Sequence, residues 1–333
     1  MDAVAGLLDG PRARGAFLLR STMDPPWSLR IEDEAPLTLI AVVRGEAWIV
    51  PDGRDPVRLA SGDVAIVRGP EPYTVADDPA TAPQAVILPG QRCTTPDGQE
   101  VAQMMDLGVR TWGNAADGAT VMLTGTYQLD GEVSRRLLRA LPTLLVLPDD
   151  AWESPLVGLM ADEIVKDDPG QEAVLDRLLD LLLIAVLRAW FARPEADAPA
   201  WYRAYGDPVV GRALRMLHHN PSHPWTVAAL ADATGVSRAA LARRFNELVG
   251  EPPMSFLTGW RIALAADLLR EPGATIGSVA DQVGYGSPFA LSTAFKRVRG
   301  VSPREYRAAA LAARAPRPAP ITRRGAGRAR AGA

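Results

Sequence analysis

The sequence contains few of the residues from which disulfides and metal sites are built. Its 333 residues include one cysteine, Cys93, and three histidines, which are His218, His219 and His223. One cysteine cannot form an intramolecular disulfide framework or a cysteine-based zinc site. Because every histidine comes after residue 217, the first two-thirds of the chain has no imidazole with which to bind a metal. We therefore expect no metal and no cofactor.

A long apolar run is also missing. The most apolar stretch, "LLDLLLIAVLRAWF" at 178–191, is too short to cross a bilayer and contains Asp180 and Arg188. The N-terminus has no basic segment followed by an apolar run, so no signal peptide is predicted. With 47% hydrophobic and 23% charged residues, the composition is typical of a soluble globular protein with room for two domains. The expectation is a cytoplasmic protein without a membrane partner.

Basic residues are scarce in the first part of the chain and abundant in the last. From Gly206 to the C-terminus there are 18 Lys and Arg against 8 Asp and Glu, a net charge of +10. The first 205 residues carry −13, which the overall value of −3 conceals. A basic segment joined to an acidic one is typical of a polyanion-binding domain attached to a domain that does not bind polyanions.

The basic segment contains an internal repeat. "LADATGVSRAALARRFNELVG" at 230–250 is followed by "VADQVGYGSPFALSTAFKRVRG" at 279–300, with matching residues 49 or 50 apart. Each copy reads as a helix, a glycine turn and a second helix that begins at a serine cap. Helical spacing places Leu241, Phe245 and Leu248 inside the first copy. By the same spacing, Leu291, Phe295 and Val298 face inward in the second copy.

This pattern is typical of helix-turn-helix units, whose second helix enters the major groove of DNA. Between the copies, "PMSFLTGWRIALAADLLR" at 253–270 predicts a rigid helix that separates the two recognition helices by about one turn of DNA, roughly 34 Å.

These residues resemble the AraC/XylS-type transcription regulators, in particular "GYGSPFALSTAFKRVRGVSPREYR" and "GEPPMSFLTGWRIALAADLLR". The resemblance covers about residues 207–309 and implies promoter DNA and RNA polymerase as partners, with activation as the commoner outcome. Two departures concern Thr293, where relatives often have arginine, and the alanines at 239 and 242. Base reading is therefore expected mainly from Arg238 and Arg243. The complete set of predicted DNA-binding residues is Ser237, Arg238, Ala239, Ala242, Arg243, Arg244, Asn246, Ser287, Phe289, Ser292, Thr293, Lys296 and Arg297.

The acidic part reads as short strands separated by turns. Segments 37–50, 57–69 and 119–131 are rich in Val, Ile, Leu and Thr and are bounded by "PDG", "SGD", "GP" and "DG". They predict an antiparallel sandwich or barrel of the jelly-roll type. The segment "VVRGEAWIVPDGRDPVRLASGDVAIVRGPEPYTV" resembles a cupin domain of the sensor type. Since the barrel lacks histidine, we expect a ligand pocket or a scaffold there, and no catalytic residues.

Four residues of the barrel are candidates for sensing. Trp27, Trp48 and Tyr73 are candidates for the lining of a small-molecule pocket, although ordinary core positions are the commoner role. Cys93 follows Arg92 in a predicted loop, and a neighbouring cation can lower the pKa of a thiol and make it reactive. The family resemblance suggests oxidant sensing for this cysteine, and an inert loop residue is the alternative.

The resulting fold class is α+β with several domains. A cupin-like sensor barrel is predicted at 1–150, a helical dimerisation segment at 151–192 and a linker at 193–207. A double helix-turn-helix domain, all α, follows at 208–310, and a disordered basic tail at 311–333. The leading interpretation is a homodimeric, sequence-specific transcription regulator that responds to a small molecule or a redox signal. A cupin-type enzyme with a DNA-binding appendage and a DNA-binding protein without sequence preference are the alternatives.

Overall fold

The computed structural model describes residues 17–101, 105–127, 138–152, 154–193 and 198–314. The strands are β1 Phe17–Met23, β2 Ser28–Ile31, β3 Leu37–Arg44, β4 Glu46–Pro51, β5 Val57–Ala60, β6 Val64–Arg68, β7 Tyr73–Ala76, β8 Ala85–Leu88, β9 Arg92–Thr94, β10 Asp106–Gly108, β11 Thr111–Gly113, β12 Thr120–Tyr127 and β13 Leu144–Leu147. The α-helices are α1 Leu156–Glu163, α2 Gln171–Phe191, α3 Ala200–Ala204, α4 Val210–His219, α5 Val227–Thr234, α6 Arg238–Val249, α7 Pro253–Leu268, α8 Ile276–Val283, α9 Pro288–Arg299 and α10 Pro303–Arg314.

The strands form two sheets with one apolar core between them. The seven-stranded sheet has the order β10-β11-β1-β12-β3-β6-β13, and the six-stranded sheet has the order β5-β4-β7-β2-β8-β9. Most neighbours are antiparallel, while β1–β11 and β2–β8 are parallel. The alternating side chains of β3 show how the core is made, because Ile40 and Val42 share a core with residues of the other sheet such as Ile49. The predicted strand segments are confirmed, except that 128–131 lie outside the described residues.

The seven-stranded sheet is buried on its second face as well, where helices α1 and α2 cover it. Leu37 and Leu39 of β3 join Leu179 and Leu182 of α2 in this second core. The helix lies close to the sheet at Gly125, where an added Cβ would come within 2.6 Å of Leu179. The Tyr127 hydroxyl donates a hydrogen bond to the Leu179 carbonyl at 2.8 Å, which fixes the helix on the strand.

The C-terminal helices form two further cores, one in each half of the repeat. The first contains Leu241 and Phe245, and the second contains Leu291 and Phe295. Helix α7 contributes to both, because Trp260 is buried in the first core and Ile262 in the second. A helix that is apolar all round is stable only when it is buried on all sides. The predicted spacer helix therefore exists, and it ends at Leu268, two residues before the predicted boundary.

Two of the inward-facing predictions are wrong. Leu248 is 37% exposed and Val298 is 46% exposed, whereas Phe245 and Phe295 are fully buried. The last turn of α6 still contacts the first core, but through Val249 and not through Leu248. Helical spacing alone does not show which residue of the last turn faces the core.

The boundaries of the C-terminal half also differ from the expectation. The predicted linker, 193–207, contains the helix α3, in which Trp201 is buried. Helix α10 continues to Arg314, four residues into the tail that was predicted to be disordered, and the rest of that tail lies outside the described residues. Among the described helices, none is both long enough and apolar enough to cross a membrane.

Replacing Phe295 with alanine should lower the free energy of unfolding by about 3–5 kcal/mol, because it leaves a cavity in the second core. The matched control is Val298→Ala on the same helix, where an exposed side chain should cost less than about 0.5 kcal/mol. Urea unfolding followed by circular dichroism measures both values. Equal effects of the two substitutions would contradict the core assignment of Phe295.

Candidate nucleic-acid interface

The first helix-turn-helix unit consists of α5 and α6. The Thr226 hydroxyl accepts a hydrogen bond from the Ala229 N–H at 3.1 Å and so caps α5. The turn has Gly235 in the left-handed region, with φ of 75°. The Ser237 hydroxyl accepts a hydrogen bond from the Ala240 N–H at 3.2 Å, so α6 begins where the sequence predicts.

The second unit, α8 and α9, repeats these contacts. Thr275 caps α8, and the Ser287 hydroxyl caps α9 by accepting a hydrogen bond from the Ala290 N–H at 3.2 Å. Its turn glycine, Gly284, has φ of 80°, and an added Cβ would come within 2.4 Å of the Ser222 carbonyl oxygen. The turn of the second unit therefore contacts the α4–α5 loop of the first unit.

Arg261 on α7 strengthens this contact between the units. Its guanidinium donates hydrogen bonds to the carbonyls of Pro221 at 2.6 Å and His223 at 2.7 Å, in the same α4–α5 loop. It also lies 5.7 Å from the ring centre of Tyr285, which follows Gly284 in the second turn. The role of Arg261 was not predicted from the sequence. The signal available was a cation on an otherwise apolar helix.

The first recognition helix presents a mainly polar face to solvent. Arg238, Ala239, Arg243 and Asn246 are exposed, and Ala242 is half-buried. Arg243 is 71% exposed and pairs with Glu247 one turn further along at 3.0 Å. An exposed pair of this kind is weak, so the guanidinium can exchange its partner for a phosphate or a base edge.

On the second recognition helix, Phe289 is the most prominent residue, because 81% of it is exposed. Thr293, Lys296 and Arg297 are exposed as well. Ser292 is half-buried and donates its hydroxyl proton to the Pro288 carbonyl at 2.8 Å, so it can offer a ligand only its oxygen as an acceptor.

Arg244 has a structural partner within the chain, while its role in DNA binding stays a prediction. Its Nε donates to the Asp207 carboxylate at 2.9 Å. The same carboxylate accepts hydrogen bonds from the Val209 and Val210 N–H groups at the start of α4. Burial opposes the charge of Asp207, but Arg244 and these backbone donors outweigh it and lower the pKa of the carboxyl. Arg244 therefore attaches α6 to the junction between the two halves of the chain.

Comparisons with known proteins give both halves a family. A protein-family model described as cupin matches residues 2–192, and a second family model, described as a helix-turn-helix domain, matches residues 230–309. A putative AraC-like transcription regulator of Streptomyces lividans is 36% identical over 312 residues, covering 92% of this chain and 98% of that protein. The chain belongs to the AraC family of transcription regulators.

The chain is also similar to two further transcription regulators. The transcriptional regulator AlkR of Acinetobacter baylyi is 28% identical over 313 residues, which are 92% of this chain and 99% of AlkR. A crystal structure of the DNA-binding domain of AdpA in complex with a target DNA is 35% identical. It covers 32% of this chain and 96% of its own, with a TM-score of 0.31.

The cupin half of this AraC-family regulator contains a cavity of about 190 Å³ between its sheets. Tyr73 lines this cavity, as the sequence predicts for a pocket residue. Trp27 and Trp48 do not line it: Trp27 is fully buried in the core between the sheets, and Trp48 is a half-buried residue of β4. Among the described residues, no group of three or more His, Cys, Asp and Glu side chains is placed to hold a metal ion.

Cys93 lies in strand β9 and not in the predicted loop. It is 6% exposed and lines the same cavity as Tyr73. Burial raises the pKa of its thiol to about 11, so the expected lowering by Arg92 is wrong. A neutral thiol is a poor nucleophile toward oxidants.

Replacing Arg244 with alanine should lower the free energy of unfolding by about 1 kcal/mol at pH 7, because Asp207 loses its charged partner. The control Arg243→Ala breaks only an exposed pair and should cost less than about 0.5 kcal/mol. Urea unfolding of both variants and the parent protein measures these costs.

The cost of Arg244→Ala should depend on pH. The folded-state pKa of Asp207 is lowered from 3.8, so the stabilisation is present above that value and is lost as the pH falls through the folded pKa. The difference between variant and parent should therefore shrink below about pH 4. An unchanged difference at pH 3 would contradict the role given to Asp207.

Proposed function

We propose that this AraC-family regulator reads two successive major grooves of a promoter site with α6 and α9, as a homodimer whose cupin half receives a small-molecule signal. The proposal depends mainly on one observation. The two recognition helices are capped and have exposed outer faces, and α7 joins them by packing in the cores of both units. The net charge of +10 from Gly206 onward supports attraction to DNA. The AdpA domain, which was crystallised with a target DNA, is a relative that supports it further.

The two recognition helices would contribute in different ways. In α6, Arg238 and Arg243 carry planar guanidinium groups that can bind guanine through two hydrogen bonds, and Ala239 and Ala242 can contact thymine methyl groups. In α9, the exposed ring of Phe289 suits an apolar contact with a thymine methyl.

Phosphate contacts would then fix the position of α9 on the duplex. Lys296 and Arg297 supply the cations, and the Ser287 cap has a proton to donate to a phosphate oxygen. Recognition of specific bases would therefore depend more on α6 than on α9. This agrees with the sequence-based expectation that Arg238 and Arg243 read most of the bases. Ser237, the cap of α6, has the same proton to donate in the first groove.

A dimer contact is proposed on the helices that cover the seven-stranded sheet. Helix α2 buries Leu175, Leu179 and Leu182 against the sheet. On its other side, Val174 is 46% exposed and Leu181 is 50% exposed, two turns apart. Two exposed apolar residues at this heptad spacing offer a small contact for a second helix.

A signal in the cupin half would reach the recognition helices through the junction. Helix α2 ends at Phe191, whose ring centre is 4.7 Å from that of Tyr202 in α3. Helix α3 in turn contacts α6, which Arg244 and Asp207 hold at the same place. A bound signal would act by changing which arrangement of the DNA-binding halves is populated. Activation with RNA polymerase as partner is the outcome that the family resemblance favours, and it is part of the proposal.

Selection of binding sites from random DNA tests the function. The full chain should return a motif with two half-sites about 10 base pairs apart. Recovery of DNA without any shared motif would favour the alternative of binding without sequence preference.

Replacing Arg243 with alanine should weaken binding to the selected site by about 1–3 kcal/mol and relax the preference at one base pair. The matched control is Arg177→Ala, which also removes an exposed helical arginine, paired with Asp180, but on α2. Gel-shift titration at fixed salt measures both, and a repeated selection with the variant identifies the base. Equal affinities of Arg243→Ala and the parent protein would remove Arg243 from the interface.

Replacing Leu181 with glutamate should shift the protein from dimer to monomer, because it places a charge in the proposed contact. The control Leu107→Glu changes another exposed leucine, in β10, and should leave the dimer intact. Sedimentation equilibrium gives the dissociation constants. A parent protein that is monomeric at micromolar concentration, or a dimer that tolerates Leu181→Glu, would contradict the assignment.

A further inference from the structure

The cavity between the sheets has Asp33 at one end and a mainly apolar lining at the other. On the seven-stranded sheet, Phe17, Thr126 and Thr38 are paired neighbours in a row across β1, β12 and β3. Opposite them on the other sheet, Ile31 of β2 is paired with Tyr73 of β7. Asp33 and Gln91 complete this polar end.

The apolar end is formed by the residues that come next along the strands. Leu19, Leu29 and Trp112 line it, and Ser21 and Thr124, which are paired with Trp112 and Leu19, add two hydroxyl groups there. The whole cavity has about 190 Å³, which is below the roughly 300–1,000 Å³ of sites for drug-sized molecules. A ligand of this cavity is therefore small, with one apolar part and one polar group.

The Thr126 hydroxyl indicates that the polar end receives a ligand atom. Thr126 is 3% exposed, and its Oγ1 has no hydrogen-bond partner among the described residues. A buried hydroxyl without a partner costs roughly 1–3 kcal/mol, so such groups normally have a protein, water or ligand partner. Because Thr126 lines the cavity, an atom inside the cavity is in position to supply that partner.

The charge at the polar end selects the kind of polar group. Among the described lining residues, Asp33 is the only charged one. Its carboxylate accepts hydrogen bonds from the Ala35 N–H at 3.1 Å and the Gln91 amide at 3.3 Å. A carboxylate ion has further acceptor positions. A second anion next to Asp33 would be repelled, whereas an ammonium group would form a charge-assisted hydrogen bond.

We infer that the cavity binds a compact primary amine, with its ammonium group on Asp33 and its apolar part against Leu19, Leu29 and Trp112. This inference rests on the proposed function, because it gives the chemical class of the signal that the cupin half receives. Thr126 and Tyr73 supply further hydrogen-bonding oxygens at the polar end. The apolar part of the amine replaces water in contact with the leucines and the tryptophan.

Calorimetric titration of the full chain with three probes of similar size tests the inference. The probes are 2-phenylethylamine, 2-phenylethanol and phenylacetate, which share a benzyl group and differ in the polar end that it carries. The amine should bind at least about 10-fold more tightly than the alcohol, as expected for a hydrogen bond to a charged group. Phenylacetate should bind most weakly. Equal or tighter binding of phenylacetate, or no binding of any probe at millimolar concentration, would overturn the inference.

Two variants test the residues. Asp33→Asn should remove the advantage of the amine over the alcohol, whereas the control Asp55→Asn, at an exposed position outside the cavity, should leave it unchanged. Thr126→Val keeps the shape of the side chain and should weaken binding of the amine several-fold. Unchanged amine affinity in Asp33→Asn would sink the inference even if the protein binds amines.

The random-DNA selection, carried out without any amine, separates this inference from the proposed function. A motif with two half-sites together with failure of all probes would reject the amine and leave DNA reading intact. Amine binding without a shared DNA motif would keep the amine site but reject the regulator function on which its role as a signal depends.

Discussion

The arrangement of the DNA-binding half depends on the burial of one helix, α7, between two cores. Trp260 is buried with the first unit and Ile262 with the second, although they are only two residues apart. Neither core is complete without this helix, so the units cannot separate without exposing apolar surface to water. Arg261, which lies between these two residues, adds hydrogen bonds from α7 to the α4–α5 loop. The relative placement of α6 and α9 is therefore a property of the hydrophobic core.

The cupin half uses its seven-stranded sheet in a comparable way. One face of that sheet contributes to the core between the sheets, where the cavity lies, and the other supports α2. Residues on opposite faces alternate along β12, so Thr126 lies in the cavity while Gly125 and Tyr127 contact α2. A ligand that moved this strand, as the proposed function requires, would therefore also move the helix packed against it. Phe191 and Tyr202 continue the chain of contacts to α3.

The parts of the structure that could be predicted from the sequence are the local ones. The caps at Ser237 and Ser287 depend on contacts within three residues, so their residue types and the glycines before them indicate both units. The pair of Asp207 and Arg244 joins residues 37 positions apart, and no periodicity shows it. The cavity is likewise formed by strands that meet only after folding. For this reason composition suggested Trp27 and Trp48 as lining residues and did not suggest Asp33 or Thr126.

The contact between Gly284 and the Ser222 carbonyl has a consequence for the DNA itself. Because the Ser222 carbonyl oxygen lies within 2.4 Å of the place that a Cβ would take at that turn, the two units are closely packed there. Each added base pair between the half-sites rotates the second groove by roughly 35°, since a turn contains 10–10.5 base pairs. A rigid protein cannot follow that rotation. If α6 and α9 read two successive grooves as proposed, the duplex would have to be overwound or underwound instead, and its torsional stiffness would contribute to the discrimination of operator spacing.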